Sequence, residues 1–278
     1  MSAEQARALL ADGQPAAALE ALQQAVRSHA VDPKLRTFLF QLLCVLGQWP
    51  RAADQLKICG ELDASTLAMV HTYGAALACE TAREAVFAGR AAPHVFGPPA
   101  PWVALLAQAL QLDAAGHGSK AADARRQAFD KAPVSSGTLD GEPFAWLADA
   151  DSRLGPVLEV IINGRYGWLP LPHLSRIELE PVADLRDLVW AAAQITFVNA
   201  AQTVALLPVR YDGSAAAADA ALQMARRTEW LALPGSGEGD DAHEAQFRGL
   251  GQRVLTTDLG DRGLLEVRSL HLDALSAD

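Results

Sequence analysis

The chain has 278 residues, half of them hydrophobic and a fifth charged, which gives room for two domains with their own cores and argues against disorder. Its net charge of −10 falls entirely in the second half: residues 1–133 hold 12 basic and 12 acidic side chains, whereas residues 134–278 hold 11 arginines, no lysine and 21 acids. Such a balance argues against a nucleic-acid ligand. It suits basic partners, or solubility alone.

The opening residues Met1 to Arg7 lack a basic flank followed by an apolar run, so no secretory signal is read there. Gly13-Gln14 and Gly47-Gln48 then recur 34 residues apart, the tetratricopeptide period. Apolar helices lead into each, through Leu9 and Leu10 and through Leu39, Leu42, Leu43 and Leu46. Small residues follow at matched offsets, Ala18 and Ala25 after the first glycine, Ala52 and Cys59 after the second. Gly116 starts a third copy with Ala121 and Ala128, and Pro133 ends it. Glycine permits the tight turn between two helices, and small residues let them approach closely. Ser65 to Gly89 reads as a further helix or helical pair capped by Ser65. The four prolines of Ala91–Pro101 break the array as a connection over the helices. Cys44, Cys59 and Cys79 lie in expected helices without ligand spacing, which implies reduced thiols and a cytoplasmic location.

A Ser-, Gly- and Thr-rich run at Val134–Pro143 marks the boundary between a helical repeat domain, residues 1–133, and an acidic α+β domain, residues 134–278. Val157–Leu169 contains Asn163-Gly164 between two β-rich runs and reads as a hairpin. Ile177–Glu180 alternates as a half-buried strand. Asp184–Phe197 is expected to be a helix capped by Asp184, with strands at Val204–Tyr211 and Glu229–Leu233, partial helix in Gly213–Arg227 and a polar loop over Gly235–Asp241. Arg253–Thr257 is expected to pair with Leu264–Leu272. Leu188–Val209 carries no charge and is long enough to cross a bilayer, but its many polar groups mark a buried helix, turn and strand instead of a membrane span. The expected class is α+β multidomain, with tetratricopeptide-like repeats followed by a small mixed sheet.

The densest chemistry is Phe144 to Pro156. Asp149 and Asp151 form an Asp-x-Asp pair of the kind that holds a divalent cation in a metal-dependent enzyme. The alternative is that they cap a turn and pair with Arg153, fixing the entry into the hairpin. No glycine-rich phosphate loop and no lysine accompanies them, and the seven histidines form no catalytic context. Glu159 with Asp151 is a second conceivable acid–base pair, against ion pairing with arginine. Trp146, Tyr166, Trp168 and Trp190 are candidates for an aromatic recognition patch or for core packing. No metal and no cofactor is expected.

On these residues the chain resembles the ImpE/SciE family, also called TagJ, accessory proteins of bacterial type VI secretion. The longest matching piece runs from Phe144 to Glu159 and includes Trp146, Asp149, Asp151, Arg153, Leu154, Gly155 and Pro156. It continues in Gly164-Arg165-Tyr166-Gly167-Trp168, Leu185 to Trp190 with Arg186 and Asp187, and Pro208-Val209-Arg210-Tyr211. Shorter pieces are Gly47 to Ala52, Arg83 to Gly89, Arg227 to Trp230 and Gly249 to Arg253. Family members usually carry an aromatic where Gly167 stands here. The resemblance implies a cytoplasmic, non-catalytic adaptor. Its implied partners are the small contractile-sheath subunit, bound through that subunit's N-terminal helix, and the ClpV ATPase that recycles sheaths. A scaffold binding an unrelated peptide is the other reading of the repeats.

Overall fold

The computed structural model describes residues 2–237 and 245–274. The expected loop over Gly235–Asp241 therefore lies partly outside the described residues. The first half is helical throughout: α1 (Ala3–Ala11), α2 (Pro15–Ser28), α3 (Pro33–Val45), α4 (Trp49–Leu62), α5 (Leu67–Phe87), α6 (Pro101–Ala114) and α7 (Gly118–Lys131). Helices α1 and α2, α3 and α4, and α6 and α7 pack as consecutive pairs. Their turns use Gly13, Gly47 and Gly116 at φ of +74°, +65° and +76°. Each turn closes with one long backbone bond: Gln14 N to Leu9 O at 2.8 Å, Gln48 N to Leu43 O at 2.9 Å, His117 N to Leu112 O at 2.8 Å. A left-handed residue is what this helix ending needs, and glycine supplies it without a Cβ clash. The small residues at matched offsets, Ala18, Ala52 and Ala121 among them, are buried.

Between the second and third pairs stands the single helix α5. Its approach is capped by Asp63, which accepts from Ser65 N at 2.9 Å, so the capping carboxylate precedes the expected Ser65 by two residues.

The second half forms β1 (Gly137–Leu139), β2 (Glu142–Phe144), β3 (Leu147–Asp149), β4 (Val157–Ile162), β5 (Arg165–Pro170), β6 (Leu174–Leu179), β7 (Trp190–Phe197), β8 (Gln202–Pro208), β9 (Thr228–Ala232), β10 (Phe247–Gly251), β11 (Val254–Thr257), β12 (Gly260–Gly263) and β13 (Ser269–Leu272), with a short α8 (Ala220–Gln223). Eight strands make one sheet in the order β2-β1-β13-β6-β7-β8-β4-β5. Every ladder in it is antiparallel. The α+β class holds, but the sheet is large and antiparallel where a small mixed one was expected. Strands β12-β11-β3 and β10-β9 form two smaller sheets.

Three local expectations change. Asp184–Phe197 is not a helix: a 3-10 turn at Leu185–Leu188 leads into strand β7. The strand is apolar without alternation because the sheet is covered on both faces. Trp190, Leu206, Val157 and Ile161 pack toward the helices, while Ala191, Ala193, Ile195, Leu158, Val160 and Leu207 belong to a second core on the other side. The uncharged stretch is thus two strands, β7 and β8, and no helix of the described residues is long and apolar enough to cross a membrane. Second, β11 pairs with its immediate neighbour β12, and β13 instead joins the large sheet between β1 and β6. Third, the proline-rich segment covers the edge of β5 rather than the helices. Trp168 N donates to His94 O at 2.7 Å, and Phe96 N donates to Trp168 O at 2.9 Å, which removes an open edge. The Asn163-Gly164 turn is as expected, both residues at positive φ (51° and 71°).

The inter-helix turns of the first half lean on loops of the second. A Cβ on Gly47 would meet Ala215 Cβ at 2.7 Å, one on Gly118 would meet Pro234 O at 2.2 Å, and one on Gly13 would meet Arg226 Nη1 at 3.5 Å. One hydrophobic cluster runs from Ala6 through Trp102 to Trp190 and Leu206, drawing on both halves.

Candidate functional site

The motif residues converge on a buried polar seam between α5 and the helix-facing side of the large sheet. Glu159 lies on β4 between Val157 and Ile161, so strand alternation turns it toward the helices. It is fully buried. Arg83 of α5 forks it, Nε to Oε1 at 2.8 Å and Nη2 to Oε2 at 3.0 Å. Tyr166 donates its hydroxyl to Oε1 at 2.6 Å, and Trp168 Nε1 donates to that hydroxyl at 3.1 Å. Arg253 bonds Oε2 from the opposite side. Burial pushes the Glu159 carboxyl up, but the Arg83 and Arg253 guanidiniums, helped by hydrogen bonds from Arg83 and Tyr166, outweigh it and hold the group down at about 2.

Arg253 links two carboxylates, because its other nitrogens reach Asp149 and the carbonyl of Pro208 at 2.9 Å. Asp149 Oδ1 accepts from Tyr211 OH at 2.9 Å and from Asp151 N at 2.8 Å. Burial is the strongest influence on Asp149 and raises its carboxyl to about 6, with Arg253 pulling it down and Asp151 adding to the rise.

Asp151 accepts from Arg153 N at 2.9 Å, from Arg153 Nη2 at 2.6 Å and from Gly249 N at 2.9 Å. The two aspartates therefore make successive side-chain turns that hold 149–153 in shape. Asp151 takes Arg153, while Asp149 takes Arg253. Each oxygen of both carboxylates already has a partner, so a cation there would have to displace arginine. Among the described residues no group of three or more His, Cys, Asp or Glu side chains gathers in a metal-binding arrangement.

The seam continues along α5. Glu80 accepts from Trp190 Nε1 at 2.7 Å and lies 3.5 Å from Arg83. Arg210 donates to Val45 O at 2.6 Å and Cys44 O at 3.2 Å, the last carbonyls of α3, and also to Gln223 O. Burial lowers the Arg210 guanidinium to about 10 even with Glu80 near. Four acids (Glu80, Asp149, Asp151, Glu159) thus face four arginines (Arg83, Arg153, Arg210, Arg253), all of them buried. Leu154 is buried, and Gly155 at φ +56° presses on Phe129, where a Cβ would meet Cε1 at 2.4 Å. Next to it, Pro156 O accepts from Leu171 N at 3.0 Å.

The aromatic residues divide. Tyr166, Trp168, Trp190 and Tyr211 are buried, whereas Trp146 is 41 % exposed, so the four candidates for a recognition patch do not share a surface. Arg186 stacks over the Tyr73 ring at 4.7 Å and pairs with Asp184 at 2.5 Å. Asp187 caps the same turn, accepting from Asp184 N at 2.8 Å. Sequence reasoning did not single out Arg83, Glu80 and Arg253. The signal for the first two was present, since Ala76, Glu80, Arg83 and Val86 share one buried stripe of α5.

The part of the chain that carries most of this seam matches a known family. The ImpE protein model matches residues 141–271. The type VI secretion system accessory component TagJ of Pseudomonas aeruginosa is 50% identical over 274 residues, covering 98% of this chain and 92% of the relative. A crystal structure of a Vibrio parahaemolyticus protein shares the fold with a TM-score of 0.84 at 21% identity, covering 97% of each chain. Half-identity along almost the whole length, together with the ImpE match over residues 141–271, places this chain in the ImpE (TagJ) family.

Proposed function

We propose that this protein is a non-catalytic accessory adaptor of a bacterial type VI secretion system. In this reading it works in the cytoplasm and binds the N-terminal helix of the small contractile-sheath subunit. That contact links it to ClpV-dependent recycling of the sheath. The observation that carries the reading is the 50% identity to the TagJ accessory component over 98% of the chain.

Two features of the geometry support it. The helix pairs of residues 1–133 read as tetratricopeptide-like repeats, a surface type that receives partner helices. In the ImpE-type part, residues 134–278, the family motif from Trp146 to Glu159 and the residues Tyr166, Trp168, Arg186, Asp187, Trp190, Arg210 and Tyr211 serve as a brace that sets the two parts against one another. A brace of this kind offers substrate no free acid, base or nucleophile.

The test is a calorimetric titration of the full chain with a peptide of the sheath subunit's N-terminal helix. Saturable one-to-one binding in the micromolar range or tighter is the expected result. Absence of binding at high micromolar concentration removes the sheath-adaptor reading and leaves a scaffold for some other peptide.

A further inference from the structure

A cavity of about 320 Å³ lies where the end of α7 meets β3, walled by Phe129 of α7, Val134 of the segment that follows it, Trp146 and Leu147 at β3, and Pro156 before β4. We propose that it receives one tyrosine side chain of a partner protein. The site goes beyond the adaptor reading and does not depend on it.

Size sets the first limit. Cavities of roughly 300–1,000 Å³ hold small-molecule ligands, and this one, at the lower end, has room for a single large side chain.

The walls exclude an ion. Four polar side chains line the cavity: Ser135, Asp149, Ser152 and Thr256. Asp149 is the one carboxylate, and both of its oxygens are engaged, Oδ1 by Tyr211 OH at 2.9 Å and Asp151 N at 2.8 Å, Oδ2 by Arg253. The other three offer hydroxyls, and no lysine, arginine or histidine joins them among the described residues. A charged group entering such a cavity would lose its water and gain no counter-charge, so a neutral group is its complement.

Ser135 adds a polar requirement. It is 6 % exposed, it lines the cavity, and its Oγ has no hydrogen-bond partner among the described residues. A buried hydroxyl left unpaired costs free energy. Rotation about χ1 lets it meet a polar atom on the cavity side, as donor or as acceptor. An aliphatic occupant would leave the cost in place. A phenol removes it while filling the apolar space, and it is the smaller of the aromatic groups that carry a polar tip.

Trp146 and Val134 point to an occupant carried on a polypeptide. Both are large apolar residues that line the cavity and yet stay exposed, at 41 % and 69 %. A free small molecule confined to the cavity would leave much of that surface in water. A side chain attached to a partner covers more of it, with the ring against the Trp146 indole and the flanking backbone over Val134. An aromatic anchor seated in a pocket and ringed by apolar contact is a common energetic centre of protein interfaces, and ring–ring contact adds to plain burial.

The experiment titrates the full chain with p-cresol, which is the tyrosine side chain alone, and with toluene, which lacks the hydroxyl. Blocked Gly-Tyr-Gly and Gly-Phe-Gly peptides form a second arm, and NMR at the Trp146 indole N–H is the readout. p-Cresol is expected to bind saturably, at least about threefold more tightly than toluene, and the tyrosine peptide to exceed the phenylalanine peptide by a similar ratio. Ser135→Ala removes one oxygen and is expected to bring each pair to within about twofold. Val31→Ser, at an exposed position outside the cavity, is expected to change neither ratio, and circular dichroism checks that both variants keep the fold. Equal binding of p-cresol and toluene by the wild type, or binding of neither, overturns the site without recourse to a variant. Selectivity that survives Ser135→Ala overturns it as well. Binding of p-cresol without binding of the tyrosine peptide overturns the partner side chain as occupant.

Discussion

Arg210 and Val45 are 165 residues apart in sequence, yet the guanidinium donates to that carbonyl at 2.6 Å. The contact sits at the C-terminal end of α3, where unpaired carbonyls collect partial negative charge. Arg226 treats α1 in the same way, reaching Leu10 O at 2.7 Å and Ala11 O at 3.2 Å. Two helices of the first half are thus finished by arginines of the second.

Replacing Arg210 with methionine keeps the stem and removes the fork. The carbonyls of Cys44 and Val45 and the Glu80 carboxylate then lose a buried cation, so a loss of about 2–4 kcal/mol is expected. Urea unfolding of the variant measures it. Arg210→Lys is expected to recover only part, because a single ammonium does not reproduce the spread of three carbonyl contacts.

Glu159→Gln tests the centre of the seam. The amide keeps the shape but leaves Arg83 and Arg253 without their shared counter-charge, which costs about 3–5 kcal/mol. The pH dependence has a definite sign. The folded carboxyl is held at about 2 against an ordinary value of 4.5. Its stabilisation is therefore complete above pH 4.5 and is lost as pH falls from there toward 2. Thermal unfolding between pH 5 and 3 is expected to show a steeper loss for the wild type than for the variant.

Gly167 stands on β5 beneath the proline-rich cover, at a position where the family resemblance leads one to expect an aromatic. A Cβ there would meet His94 O at 2.4 Å and Phe96 Cε2 at 2.8 Å, so Phe96 already occupies the space such a ring needs. Gly167→Phe is expected to cost about 1–3 kcal/mol and to lift the proline-rich cover off β5, read as faster amide exchange at Phe96 and Trp168. Adding Phe96→Ala to Gly167→Phe is expected to restore part of the loss.

A fragment ending at Pro133 should not fold as it does in the whole chain. Arg83 would lose Glu159, Glu80 would lose Trp190, and the shared core would lose Val157, Trp168 and Leu206. Poor dispersion in an amide correlation spectrum is the expected outcome; a well-dispersed spectrum would contradict the account of the seam.

Much of this architecture is written in short-range pattern. The glycine turns, the small residues behind them and the Asn163-Gly164 hairpin were readable because each depends on neighbours within a few positions. Strand β7 was misread because Ala191, Ala192 and Ala193 carry no period-two signal when both faces are covered, and only the tertiary layers decide between helix and strand. The site was half legible. Asp151 with Arg153 is a local pair, but Glu159 with Arg83 and Asp149 with Arg253 join residues 76 and 104 positions apart. Spacing along one sequence contains no register for such pairs.

The placement of the lysines has a practical consequence for mapping complexes. All four lysines of the chain, Lys34, Lys57, Lys120 and Lys131, lie in the helical half, on the three helices α3, α4 and α7. Amine-reactive reagents therefore report on that half alone and are blind to the lysine-free sheet. A covalent link from a bound partner to Lys34 and not to Lys120 would place the contact nearer α3 than α7.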